Sequence, residues 1–258
     1  MRQDVIKFFD DQASDYESSY KRIDDLRSFI FSERKRIVLN MLGGSFERIL
    51  DIGCGPGVYA DELSGRCRRL YGVDNSEEMI EIAGDKKYAN AEFSTGNMED
   101  LKFQDGFFDA AVCVGVLEYL DDIEAGIREV ARVTRKGGAA IFTAPNAESL
   151  LNKLDYWMRA VLKTAGKFIN MDLAGSFMNY DFQPRLFGKS TIDSLLEKYG
   201  FKVEDSKFHI FRISFLNRMN PGLSLGLAKR LNFISSRFLA INYIVKAKKT
   251  DADRERHN

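Results

Sequence analysis

The run from Ile49 to Gly57, ILDIGCGPG, constrains this chain more than any other stretch, together with YGVD, whose Asp74 falls seventeen residues beyond Gly57. It reads as a buried strand ending in a glycine turn, then a helix, then a second strand ending in a carboxylate. Gly53, Gly55 and Gly57 permit positive φ and bring bare backbone N–H groups close to a ligand. Asp74 is placed to accept hydrogen bonds from two ribose hydroxyls, so an adenosine-containing ligand is the first one this arrangement suggests.

Dinucleotide-binding folds use nearly the same device, with a third glycine opening the helix over a pyrophosphate. Here the position that would carry that glycine is Val58. Asp51, two residues before the first glycine, would repel a pyrophosphate but could receive an ammonium or order water near one. The ligand end at the turn therefore reads as cationic or zwitterionic. Other roles fit the same residues singly: glycines end many strands, and Asp51 or Asp74 could cap a following helix.

Five segments, ILDIGCGPG, YGVDNSEEMIEIA, GNMEDLKF, FDAAVCVGVLEYL and RKGGAAIFTAPN, cover roughly residues 46 to 146. In order and spacing they resemble the class I S-adenosylmethionine-dependent methyltransferases of the small-molecule type; the flanks match only loosely. The resemblance implies an α/β fold: a Rossmann-like, seven-stranded, mostly parallel sheet with an antiparallel last strand and helices on both faces. It implies S-adenosylmethionine as cofactor and S-adenosylhomocysteine as product. It further implies that Asp51, Gly53, Cys54, Gly55 and Gly57 face the methionine part and that Asp74 holds the ribose. Asn75 would lie by the adenine, Asn97 and Met98 at its edge, and the backbone near Val114 and Gly115 at the amino group; Met79 is counted with the cofactor-binding residues. Many relatives carry Asp where this chain has Asn97; an amide can still pair with the adenine edge. Cys54 itself reads as packing, not as a nucleophile.

With 258 residues and 45% apolar content, the chain can bury a full core as a single α/β domain. Thirty-eight basic against thirty-eight acidic side chains leave no global field, which argues against a nucleic-acid partner. Three unpatterned cysteines, Cys54, Cys67 and Cys113, argue against disulfides or a zinc site and for a reducing, cytoplasmic setting. No signal-like or bilayer-length apolar run is present in the sequence.

Strands are expected at 47–52, 69–73, about 91–95, 108–114, 138–143, 207–215 and 241–248, and helices at 57–64, 76–84, 122–134 and 190–199. Three segments lie outside that core. Residues 1–42 are expected to form an N-terminal helical cap; the resemblance implies Tyr16 over the cofactor, and Tyr20, on the same face if the segment is helical, is expected to bind substrate, though both could simply pack against the core. Residues 147–187 form a helical lid insertion: Leu150, Leu154, Trp157, Met158, Val161 and Leu162 make an apolar stripe expected to face the core. Beyond it, Tyr180, Phe182 and Arg185 suit an acceptor pocket. Residues 216–240 interrupt the last hairpin, and 222–240 form a basic amphipathic stretch that either docks on its own domain or touches a membrane as a peripheral contact. The tail 249–258 is too polar to pack.

A sulfonium methyl is a strong electrophile, so the protein needs chiefly to align a nucleophile. His209 and His257 lie away from the expected ligand end of the sheet. Glu118 and Tyr119, at the end of the fourth strand, are the catalytic candidates; Glu118 could equally cap the next helix. The Glu and His set by which some relatives hold a metal is incomplete, so none is expected. The leading reading is methyl transfer to oxygen or nitrogen of a small, partly apolar acceptor. The alternatives are methylation of a lipid-linked or glycolipid precursor at a membrane surface, a non-catalytic cofactor-binding scaffold and, more remotely, a nicotinamide oxidoreductase. Acceptor, methylated atom and oligomeric state stay open.

Overall fold

The structure, a computed structural model, describes residues 3–16, 24–169, 184–212, 214–232 and 234–250. Its strands are β1 (Phe46–Ile52), β2 (Cys67–Asp74), β3 (Ala91–Thr95), β4 (Phe108–Cys113), β5 (Thr134–Pro145), β6 (Phe201–His209) and β7 (Asn242–Lys249). They form one sheet in the order β3-β2-β1-β4-β5-β7-β6. β1 to β5 pair in parallel, and β7 runs antiparallel between β5 and β6. The helices are α1 (Gln3–Tyr16), α2 (Leu26–Leu42), α3 (Ala60–Ser64), α4 (Glu77–Asp85), α5 (Ile123–Val133), α6 (Leu150–Ile169), α7 (Lys189–Lys198), α8 (Ser214–Met219) and α9 (Pro221–Leu231).

The sheet is covered on both faces, which is why β1 ends in four consecutive buried residues, Ile49 to Ile52, instead of an alternating pattern. Leu50 and Ile52 pack into one core with Val73, Phe108, Ile127 and Leu196. Ile49 points the other way, into a core with Val38, Leu42, Leu63 and Val112. Each such fully buried aliphatic side chain contributes about 1.5–3 kcal/mol. Local signals set the helix ends. The Asp25 carboxylate accepts the Ser28 N–H at 2.8 Å while the Ser28 hydroxyl accepts the Asp25 N–H, a reciprocal cap that starts α2. Asp122 caps α5 by accepting the N–H groups of Glu124 and Ala125.

Two expectations fail. The sixth strand is Phe201–His209, not 207–215. Gly200, at φ 77°, turns the chain straight from α7 into the sheet, and Ile210, at φ 74°, ends the strand just after His209. The apolar stripe of α6 does not face the core: Leu150, Leu154, Trp157 and Val161 are exposed, whereas Asn152 and Asp155 are buried. The inner side of α6 is held by polar bonds, for the Asn152 amide donates to the carbonyls of Asn146 and Ile241, both at 2.9 Å.

In the last hairpin, α9 buries Ser224 and Ala228, the latter in a cluster with Leu26, Ile30, Ile210 and Ile241, so this helix docks on its own domain. Of the insertion 147–187, α6 is helical, and Tyr180 and Phe182 lie outside the described residues, as do Tyr20 and the tail from 251.

Candidate active site

The turn after β1 is stitched to the end of β2. The N–H groups of Gly53 and Cys54 donate to the Val73 carbonyl at 2.8 and 3.1 Å, and the Gly55 N–H donates to Asp74 Oδ2 at 2.8 Å. The other oxygen of Asp74 accepts the Ser76 N–H at 3.0 Å. Gly53, Gly55 and Gly57 all take left-handed φ, at 66°, 52° and 71°. A Cβ on Gly53 would also overlap the Cγ2 methyl of Val116. Asp74 thus braces the turn and leaves the capping of α4 to Ser76, whose hydroxyl accepts the Met79 N–H at 3.1 Å.

A cleft of about 730 Å³, open mouth included, lies beyond the carboxyl ends of β1, β2 and β4, at the point where the strand order reverses. Among the cofactor residues selected from sequence, Tyr16, Asp51, Gly53, Cys54, Gly55, Asp74, Asn75, Met79, Met98, Val114 and Gly115 line it. Gly57 and Asn97 do not. Gly57 closes the turn, its N–H donating to the Cys54 carbonyl at 3.1 Å, and its Cα faces Ala60, Ala83 and Phe93. Asn97 spends its side chain on Glu99, accepting that residue's N–H at 3.1 Å and donating to its carboxylate at 3.2 Å; Gly96 lines the cleft instead.

The cleft is electronegative at its turn end. Asp51 is 2% exposed and its Oδ2 has no hydrogen-bond partner among the described residues. Burial, with repulsion from Asp74, pushes its carboxyl up to about 7 against the pull of Lys35. Lys35 is itself held by the Val58 carbonyl at 2.6 Å and Glu62 at 2.7 Å. Burial and the charges of Asp51 and Asp74 push the Cys54 thiol well up, so it stays protonated, in keeping with a packing role. Over the mouth, α1 brings Phe9, whose ring stands 6.1 Å from Tyr16 and 5.4 Å from Tyr119.

Tyr119 is shared with a second cleft of about 810 Å³, open mouth included, lined also by Phe31, Arg34, Glu118, Tyr156 and Arg212. Glu118 is 9% exposed, and its Oε2 has no partner among the described residues. Burial pushes its carboxyl up to about 7, with Arg34 pulling the other way. Glu118 caps nothing, since Asp122 does that work. Arg34 lies over the Phe31 ring at 4.9 Å and against Gly115. Arg212 reaches Asp155 at 3.4 Å. Arg185 lines neither cleft: its guanidinium donates to the carbonyls of Leu120 and Asp121 at 3.1 and 3.3 Å and sits over Phe187, a clamp on the backbone below Tyr119. His209 is buried, and that burial lowers it to about 4, so it carries no charge at neutral pH.

Sequence reasoning misses Phe9, Tyr59 and Val116 in the first cleft and Arg34, Asp155 and Arg212 in the second. Two carried a signal. Phe9 lies seven residues before Tyr16, two helical turns away on one face, and Arg34 interrupts the buried stripe Ile30, Ile37 and Met41 of α2. Arg212 carried none, falling in a stretch that reads as strand.

A glycine cradle with a carboxylate at the end of β2, on a sheet of this order, defines a class I methyltransferase fold. Residues 50–142 match the family described as methyltransferase domain, so the chain carries a methyltransferase domain of the class I fold. It is 37% identical over 95 residues to the uncharacterized methyltransferase YcgJ of Bacillus subtilis, covering 35% of this chain and 38% of that one. It is 30% identical over 154 residues to a demethylmenaquinone methyltransferase of Thermotoga maritima, covering 58% of this chain and 66% of that one. Several curated relatives are matched over less than half their length. The fold is shared with magnesium protoporphyrin IX methyltransferase of Synechocystis, solved with bound S-adenosylhomocysteine, at a TM-score of 0.62 and 18% identity, covering 95% of this chain and 98% of that one.

Proposed function

We propose that the first cleft binds S-adenosylmethionine and that the chain transfers its methyl group to an oxygen or nitrogen of a small, partly apolar acceptor in the second. The observation that carries this reading is the pairing of two clefts across Tyr119, each with one buried carboxylate oxygen awaiting a partner: Asp51 in the first, Glu118 in the second. The cleft fits the cofactor. An unpartnered buried carboxylate suits a cationic ligand and rejects a pyrophosphate. Asp74 keeps lone pairs for ribose hydroxyls, Met79 and Met98 offer an apolar slot for a base, and bare backbone at Gly53 and Gly115 leaves room for a close approach. Bound there, the cofactor would supply an electrophilic methyl.

The protein's part is placement and proton handling. Phe9 and Tyr16 close the mouth against water, and Tyr119 forms the wall between donor and acceptor sides. Glu118, near neutrality, is suited to accept the proton of a hydroxyl or amine, which favours oxygen or nitrogen as the methylated atom. Calorimetry with S-adenosylhomocysteine tests the first cleft: wild type binds, and Asp74→Ala binds at least tenfold more weakly. No heat from wild type, or equal affinity in the variant, overturns the cofactor assignment. Labelled methyl incorporation into phenol and amine panels then separates an enzyme from a scaffold that binds without turnover.

A further inference from the structure

Helix α6 is turned inside out relative to an ordinary surface helix, which hides its apolar side and wets its polar one. Asn152 and Asp155, each 8% exposed, face the protein, whereas Leu150, Leu154, Trp157 and Val161 stand 57%, 44%, 64% and 45% exposed. These four recur at steps of four, three and four, a single stripe along one side. Phe238, 61% exposed, is tied to the start of α6, its carbonyl accepting the Leu150 N–H at 2.8 Å. A contiguous row of large apolar side chains exceeds the scattered exposure of a water-facing surface.

Charge identifies what the row faces. Outside the register of Asn152 and Asp155, which Arg159 shares, the α6 sequence carries Lys153, Lys163 and Lys167, and its one carboxylate, Asp155, is turned inward to Arg212. Lys153 is exposed, one helical turn from Trp157. An exposed apolar row flanked by cations is the make-up of a helix that lies in an interface; among the described residues no helix is long and apolar enough to cross a membrane. A second copy of the chain is the poorer occupant, because a two-fold contact sets a patch against itself and would bring the same cations together. We propose that α6 docks this chain on the surface of an anionic lipid bilayer, with Leu154 and Val161 in the acyl boundary and Trp157 at headgroup depth.

The docking stands apart from the cofactor assignment, but it bears on the acceptor. The other side of α6 supplies Asn152, Asp155 and Tyr156 to the second cleft. If that cleft holds the acceptor, docking sets it beside the lipid, where an amphiphilic acceptor is concentrated.

Trp157 is the chain's single tryptophan, so its emission reports on this patch alone. The full chain is mixed with phosphatidylcholine vesicles, with and without phosphatidylglycerol. On the anionic vesicles the emission shifts to the blue and the protein co-sediments, with at least tenfold weaker binding to the neutral ones, because each cation near the surface adds on the order of fivefold. Raising salt reverses the binding. The double variant Leu154→Glu, Val161→Glu, at exposed positions, keeps the wild-type unfolding temperature and S-adenosylhomocysteine affinity and loses the blue shift. Two results overturn the proposal: no shift or sedimentation on anionic vesicles, or a lipid-free dimer by sedimentation velocity whose Trp157 emission is already blue and indifferent to vesicles. The S-adenosylhomocysteine titration runs without lipid, so failure of docking and failure of the cofactor assignment are read separately.

Discussion

The two clefts that meet at Tyr119 are built by different means. The first is built chiefly on the turns that follow β1, β2, β3 and β4, roofed by Phe9 and Tyr16 of α1, and its key side chains, Asp51 and Asp74, sit two residues before and seventeen after the glycine turn. The second is made of side chains collected from α2, the turn below Tyr119, α6 and the segments after residues 183 and 209. A site made by a turn depends on glycines and tolerates little change. A site made by gathered side chains can be retuned one residue at a time, the expected division when a fixed donor meets a variable acceptor.

The contrast breaks first at Gly53. Gly53→Ala meets both the left-handed φ and the Val116 methyl, and the expected loss is about 2–4 kcal/mol of stability with no S-adenosylhomocysteine binding. Urea unfolding checks it; a variant as stable as wild type would show that the turn is not rigid.

Asp51→Asn comes next and separates stability from binding. The carboxyl sits near 7 in the folded chain against an ordinary 3.8, so its contribution to stability is most favourable below about pH 4 and is lost as pH rises through about 7. The ligand-free variant therefore unfolds at a higher temperature than wild type at pH 8, with the gap closing by pH 4, a difference on the order of a few kcal/mol. S-adenosylhomocysteine affinity falls about a hundredfold in the same variant. In wild type, binding near pH 7 releases a proton, measured by calorimetry in buffers of different ionisation enthalpy.

The smallest effect belongs to the second cleft. Glu118→Gln lowers kcat about tenfold and leaves cofactor affinity untouched. Wild-type kcat at saturating cofactor rises with pH through about 7 as Glu118 ionises; the variant's profile is flat. A shared loss of affinity would merge the two clefts into one.

Legibility in the sequence follows the same division. Glycine spacing and strand-terminal carboxylates are local, so the first cleft could be read almost residue by residue. Asn97 departs because a nearby donor, the Glu99 N–H, captures its side chain. The second cleft depends on which distant segments meet, and no local pattern encodes that meeting. Arg212 falls in a stretch whose alternation mimics a strand, and α6 misleads because amphipathicity locates an apolar side without saying whether protein, water or lipid lies against it. The bounds of β6 escape the sequence pattern for a related reason: Gly200 and Ile210 set its ends through backbone conformation, which hydrophobic pattern does not record.

The bracing of the glycine turn by Asp74 has a kinetic corollary. Because Gly55 and Ser76 already hold both carboxylate oxygens, an arriving nucleoside would meet a finished mould and need not wait for a loop to fold around it. Its capture is then governed by diffusion into the cleft, with little change in heat capacity from ordering the floor of the site.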